Sequence, residues 1–120
     1  MALRHVFTVI DCNDLEAQVA FWSALTGLER LGEAPGYAWL APQAEGASVI
    51  AFQQVPEAKS GKNRVHLDLH TDDVLAEVGR ATELGASEVD RQAWDDFHWV
   101  VMADPEGNEF CIAGGGAKPW

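Results

Sequence analysis

One succession of elements can be read twice along this chain, and that repeat limits the fold more than any single motif. Leu3 to Asp11 predicts a strand, with Val6, Thr8 and Ile10 on one face and His5, Phe7, Val9 and Asp11 on the other, because successive strand side chains point to opposite sides. Asn13 and Asp14 then supply N-cap chemistry, and Leu15, Val19, Trp22 and Leu25 recur at helical spacing until Gly27 provides a stop. Three short apolar stretches follow, Leu28 to Leu31, Tyr37 to Leu40 and Ser48 to Gln53, separated by GEAPG and PQAEG. They predict small antiparallel strands joined by turns.

Pro56 to Lys62 is polar, carries Gly and Pro and has no apolar period, so it reads as a connection. The order then begins again. Arg64 to Thr71 predicts a strand, Asp72 and Asp73 the caps, Val74 to Leu84 a helix with Val74, Val78 and Ala81 inward, and Gly85 the stop. Glu88 to Arg91, Phe97 to Ala103 and Asn108 to Ala113 complete the second set of strands. Aligning the copies sets Asp14 on Asp73, Ala17 on Ala76, Val19 on Val78 and Leu25 on Leu84. The predicted class is α+β, two βαβββ modules in a single domain of residues 1–120: module one over 3–55, a linker over 56–62, module two over 63–113 and a tail over 114–120.

Composition narrows the partners. Nineteen acidic residues against eight basic ones give a formal net charge of -11, which argues against nucleic acid and anionic membrane surfaces, both of which are bound through Lys and Arg. No apolar run is long enough to span a bilayer, and Met1 to Thr8 lacks a signal-peptide pattern, so a cytoplasmic protein is expected. Cys12 and Cys111 have no second pair beside them; two reduced thiols are the expectation, and a single disulfide is the alternative.

The chemistry-bearing residues concentrate in module two. From Asn63 to Asp73 the pattern alternates strictly, with Val65, Leu67 and Leu69 on one face and His66, Asp68 and His70 on the other. The apolar face is expected to be buried. Further on, the turn Asp104-Pro105-Glu106-Gly107 leads into a strand that places Phe110 and Ile112 with the core and Glu109 and Cys111 opposite.

Paired βαβββ units, an Asp before each helix, a Gly after it and the late DPEGNEF segment together resemble the vicinal oxygen chelate superfamily, which includes glyoxalase I, extradiol dioxygenases, fosfomycin-modifying enzymes and bleomycin-resistance proteins. The resemblance runs from about Leu3 to Ile112, and AFWSALTG, FQQVPEAKSGKNRVHLDL and DPEGNEFC are most similar to its small glyoxalase-like members. It implies curved sheets around a cleft, helices on the outer face and a homodimer. Phe7, Val9, Asp11, Asp68, His70 and Cys111 are then expected to line the cleft with His66 and Glu109, and Trp39, Trp94 and Trp99 to offer it flat apolar surface.

Metal-dependent members of that superfamily take one ligand from the first and one from the last strand of each module. The matching positions here are His66 and Cys111 in module two, and Phe7 with Ile50 or Ala51 in module one. Hydrocarbon side chains donate nothing to a metal, so no metal site of the usual kind and no cofactor are expected. A displaced site built on His66 with Glu109, His5 and Gln53 is the alternative.

Each residue also has a plain structural reading. His66 is read either as a general base or polar ligand contact, or as a histidine held by Asp68 for structural reasons. Asp68 is unusual in mid-strand and either orients His66, binds a cation or pairs with Arg64 or Lys62. Cys111 is a nucleophile only if its pKa is lowered, and otherwise a small buried apolar residue. Glu109 acts in acid-base chemistry or satisfies backbone donors near the turn, His70 is a rim or capping residue, and Trp120 packs at a subunit contact or is disordered. The expected function is binding, and transformation, of a small and largely apolar organic molecule, with His66 and Glu109 as the catalytic candidates; the alternatives are a sequestering protein of the drug-resistance kind and a displaced-metal lyase or dioxygenase.

Overall fold

The computed structural model describes residues 3–120. Its element order is β1 (Phe7–Cys12), α1 (Leu15–Thr26), β2 (Arg30–Ala34), β3 (Tyr37–Leu40), β4 (Val49–Gln54), β5 (Leu67–His70), α2 (Val74–Glu83), β6 (Ser87–Ala93), β7 (Phe97–Ala103) and β8 (Glu109–Gly115). The α+β class and the doubled βαβββ order read from the sequence are those of the structure. The chain forms two compact units, passing from one to the other between Lys59 and Ser60, inside the polar stretch 56–62.

Each unit holds a four-stranded mixed sheet, ordered β1-β4-β3-β2 in the first and β5-β8-β7-β6 in the second. The first strand of each runs parallel to the last, and the remaining pairs are antiparallel. Parallel pairing needs a crossover: the helix of each unit carries the chain to the far edge of the sheet, and antiparallel strands return it to the first strand. The helix starts are set by two aspartates: Asp14 accepts a hydrogen bond from Ala17 N at 3.1 Å and Asp73 from Ala76 N at 3.1 Å, satisfying amides that have no partner inside the helix. Gly27 takes φ 74°, a left-handed conformation that ends α1.

The first unit buries Val19, Phe21, Trp22 and Leu25 of α1 with Leu40 and Phe52 of the sheet. In the second, Val74, Val78 and Ala81 of α2 are buried with Val100, Met102, Phe110 and Ile112. Strand β7 alternates without a break: His98, Val100 and Met102 are buried, while Phe97, Trp99 and Val101 lie on the opposite, half-buried side. The tail also folds back. Trp120 sets its ring edge-on against buried His98 at 5.5 Å and receives the Arg91 guanidinium over its face at 5.2 Å, so it packs within its own unit.

Two strands begin later than the alternation predicts. Strand β1 starts at Phe7 rather than Leu3; His5 reaches the Thr8 hydroxyl at 3.0 Å, a contact between residues three apart that extended backbone would hold on opposite faces. Strand β5 starts at Leu67 rather than Arg64, and Val65 is 75% exposed instead of buried. Pairing with β8 begins only at Leu67 and Phe110, and ahead of it Asn63 Nδ2 donates to the Val65 carbonyl at 3.2 Å, holding the backbone in a local bend. Alternation signals a strand only where a neighbour supplies the ladder.

Candidate functional site

The register of module two brings its polar side chains together. Asp68 on β5 stands opposite Cys111 on β8, which stands opposite Val101 on β7. One step along, His70 is opposite Ala113, and Ala113 opposite Trp99. Both rows lie on the side turned away from the Val100, Met102 and Phe110 core. His66 immediately precedes the strand and turns its Nε2 to 3.1 Å from Asp68 Oδ1.

The wall beside them is aromatic. Trp94 N donates to the Phe97 carbonyl at 2.8 Å, closing the turn between β6 and β7 and setting the Trp94 and Phe97 rings 6.1 Å apart. Trp99 stacks edge-on to Trp94 at 5.1 Å and lies 6.0 Å from Phe97, and the His70 ring is 5.7 Å from Phe97. Phe97 is absent from the ligand-contact set read from the sequence, whereas Trp94 and Trp99 are both part of it as flat surface for a cleft. The signal was present in β7, where Phe97 and Trp99 share a face by alternation, but Trp94 joins them only through the turn.

His66, Asp68, Trp94, Phe97, Trp99, Cys111 and Ala113 line one cavity of ≈ 250 Å³. A second hollow of ≈ 440 Å³ in module one is lined by Asn13, Gly36, Gln54, Val55 and Pro56 and offers neither an acid-base group nor a nucleophile. The first is therefore the candidate site.

Burial first, and Asp68 after it, set the state of the thiol in this site. The Cys111 thiol is only 4% exposed, and burial pushes its pKa up to about 11, with the Asp68 carboxylate adding to the effect through charge and a hydrogen bond, and Glu109 through charge. At neutral pH the thiol is protonated and a poor nucleophile. Lys62, which works in the opposite direction, is engaged in an ion pair with Glu109. Glu109 is 14% exposed at its side chain and is not among the residues lining the cavity.

The remaining predicted residues belong to the first unit. Phe7, Val9 and Trp39 belong to module one, where Val9, Ala51 and Trp39 form a row across β1, β4 and β3 and the Phe7 and Trp39 rings are 6.4 Å apart. Trp39 lies flat over Gly32: a Cβ on that glycine would fall 2.6 Å from the indole Cε2. Asp11 pairs in register with Gln53, and Gln53 Oε1 accepts from the Tyr37 hydroxyl at 3.1 Å. Cys12 is buried and unlinked, as is Cys111.

The family model for the glyoxalase-like domain matches residues 7–113. The chain belongs to the glyoxalase-like family. Solved structures with the same fold include a glyoxalase/bleomycin resistance protein/dioxygenase family enzyme from Burkholderia phytofirmans, with a TM-score of 0.79 and 20% identity over 93% of this chain and 98% of that one. A glyoxalase family protein from Bacillus cereus superposes at 0.77 with 18% identity over 98% and 97%. A fosfomycin resistance protein from Listeria monocytogenes, solved with Mn(II) and 1S,2S-dihydroxypropylphosphonic acid, superposes at 0.75 with 11% identity over 93% and 89%. No curated protein matches the chain in sequence. The recognised superfamily resemblance is thus that of the fold.

The superfamily's four-ligand metal arrangement does not fit these residues. Of its positions, His66 and Cys111 carry donors, whereas Phe7 stands against Trp39 and Ala51 is buried between Val9 and Trp39, and neither Phe7 nor Ala51, nor the alternative Ile50, has a side-chain donor atom. His5 and Gln53, named as substitutes, have the local partners given above. Within module two, however, one nitrogen, one oxygen and one sulfur donor, from His66, Asp68 and Cys111, all lie within 4.8 Å of one another.

Proposed function

We propose that this glyoxalase-like protein binds a small, flat and largely apolar organic molecule in the module two cavity and acts on it through His66. The observation that carries this reading is the juxtaposition of the Trp94, Phe97 and Trp99 rings with the His66–Asp68 pair around one cavity. Aromatic rings offer a planar ligand large apolar area with little ordering cost. An imidazole oriented by a carboxylate is the arrangement of a general base, which needs to stand within hydrogen-bond reach of the proton it takes. Cys111 takes no nucleophilic part here, and Glu109 serves to hold Lys62.

The cavity sets the scale of the ligand. A volume of ≈ 250 Å³ falls just below the range of about 300–1,000 Å³ typical of small-molecule sites, which fits a one- or two-ring compound. Two unlinked buried thiols suit a reducing, cytoplasmic setting, and no helix among the described residues is long and apolar enough to cross a membrane. The proposal includes a homodimer, checked by sedimentation equilibrium.

A second reading, sequestration of a cationic drug without chemistry, is favoured by one observation: Asp68 is 55% exposed at its side chain beside the aromatic wall, in a chain of net charge -11. A carboxylate next to ring faces attracts organic cations. One experiment separates the two. A fragment library is screened by saturation-transfer NMR, and hits are measured against His66→Ala, Asp68→Asn and Trp99→Ala. Trp99→Ala is expected to weaken any hit about tenfold, from a ring contact of roughly 0.5–1.5 kcal/mol and the apolar area buried with it. The acting-enzyme reading expects neutral hits that are turned over and a turnover lost in His66→Ala; the sequestering reading expects cationic hits, no turnover and loss in Asp68→Asn. Hits indifferent to all three substitutions defeat both.

A further inference from the structure

We propose that His66, Asp68 and Cys111, all of module two, form a binding site for one thiophilic divalent cation of the zinc class. It lies in the cavity just described but does not rest on the organic-ligand reading, since the cation is measured on protein without any such ligand.

The geometry comes from the parallel β5–β8 pair. Register places Asp68 directly beside Cys111, and His66, two residues earlier, folds over so that its Nε2 meets Asp68 Oδ1 at 3.1 Å. The three donor atoms lie within 4.8 Å of one another. A tetrahedral ion with ligand bonds of about 2.0–2.3 Å holds its donors roughly 3.3–3.8 Å apart. Closing that difference needs rotation of His66 and Asp68, which are 48% and 55% exposed, toward a sulfur fixed on the central strand.

Donor type selects the ion. Imidazole, carboxylate and thiolate together suit zinc, whereas magnesium and calcium take sets of oxygen. Charge agrees: a neutral imidazole, one carboxylate and one thiolate carry two negative charges against the two positive charges of the ion. The complex is therefore neutral against the indoles of Trp94 and Trp99, where an uncompensated charge would be costly. Binding forms the metal–sulfur bond as the Cys111 proton leaves to buffer, with no change in oxidation state. The same Asp68 and Glu109 charges that keep the free thiol protonated favour a cation placed among them. Lys62, the nearby positive group, is paired with Glu109. Asp68 occupies none of the superfamily's four ligand positions, and all three donors belong to module two, so this is a site of the chain's own making. Three protein donors leave a coordination position for water or a ligand.

The test uses the full chain after chelator treatment and dialysis, titrated with Co(II) as a spectroscopic stand-in for Zn(II). One equivalent of Co(II) is expected to give a near-ultraviolet sulfur-to-cobalt band and strong visible bands of a four-coordinate ion, and Zn(II) to abolish both. Cys111→Ser removes the sulfur band, Cys12→Ser leaves it intact, and His66→Ala and Asp68→Asn each weaken Zn(II) at least about tenfold in competition with a chromophoric chelator. Excess Mg(II) or Ca(II) displaces nothing. Absence of a sulfur band in the unsubstituted protein, its survival in Cys111→Ser, or displacement by Mg(II) overturns the site. Should Cys111→Ser fail to fold, His66→Ala decides, because that side chain is half in solvent. The organic-ligand screen is run on chelator-treated protein, so failure of either proposal shows independently of the other.

Discussion

Asp68 and Cys111 are register partners across a parallel strand pair, so that a carboxylate and a thiol meet on one side of the sheet. The carboxylate raises the thiol's pKa, after burial the largest influence on it, and this sets the chemistry open to both.

Alkylation of Cys111 by iodoacetamide is therefore expected to be slow at pH 8 and to accelerate toward pH 11. Asp68→Asn moves that midpoint downward without returning it to 9.0, because burial, the leading cause, remains. Rate against pH in a Cys12→Ser background reads the shift; an unchanged midpoint contradicts the coupling.

The same thiol makes stability depend on pH. Its folded-state pKa, about 11, lies above the ordinary 9.0, so its contribution is complete below pH 9 and disappears as the pH rises through 11. Urea unfolding is expected to show a loss on the order of 2 kcal/mol over that window, and Cys111→Ala should remove that part of the slope.

Helix α2 depends on its cap. Asp73→Ala deprives Ala76 N of its acceptor and should cost about 1 kcal/mol, with Asp73→Asn losing less. Chemical denaturation distinguishes the two; equal losses would mean that charge rather than the hydrogen bond matters at this end.

Gly32→Ala drives a methyl into the Trp39 indole. Displacing the ring should destabilise the protein by roughly 1–3 kcal/mol, and Gly32→Ala with Trp39→Ala should lose less than the two single losses added. Additivity would show that the close approach carries no strain.

Asp104, only 3% exposed, accepts from Glu106 N at 2.9 Å and Asn108 N at 3.0 Å and so holds the turn that aims β8. Asp104→Ala leaves part-buried amides unsatisfied and should cost on the order of 2 kcal/mol. Loss confined to hydrogen-exchange protection around β8 would trace the effect to the turn.

What the sequence disclosed and what it withheld follow from how local each signal is. Asp14, Gly27, Asp73 and the DPEG turn announce themselves within a few residues, so helix starts and hairpins were legible. Alternation correctly assigned Phe110 and Ile112 to the core. It overran at Arg64 to His66 because pairing depends on where a strand some forty residues later begins, about which alternation says nothing. The site divided the same way. His66 and Asp68 share a face by counting alone, but their meeting with Cys111 is a matter of register, and the approach of Trp94 to Trp99 is a matter of turn geometry. Glu109 shares the face of Cys111 by alternation, and only the fold reveals that Lys62 occupies it.

The Trp94 and Trp99 indoles, 5.1 Å apart and inclined at 72°, are close enough for their electronic transitions to couple. Oblique coupled chromophores produce a paired positive and negative band in circular dichroism, whose sign follows the handedness of their tilt. Module two thus carries an intrinsic optical gauge at the mouth of its own cavity, and any occupant that wedges the rings apart would extinguish that couplet.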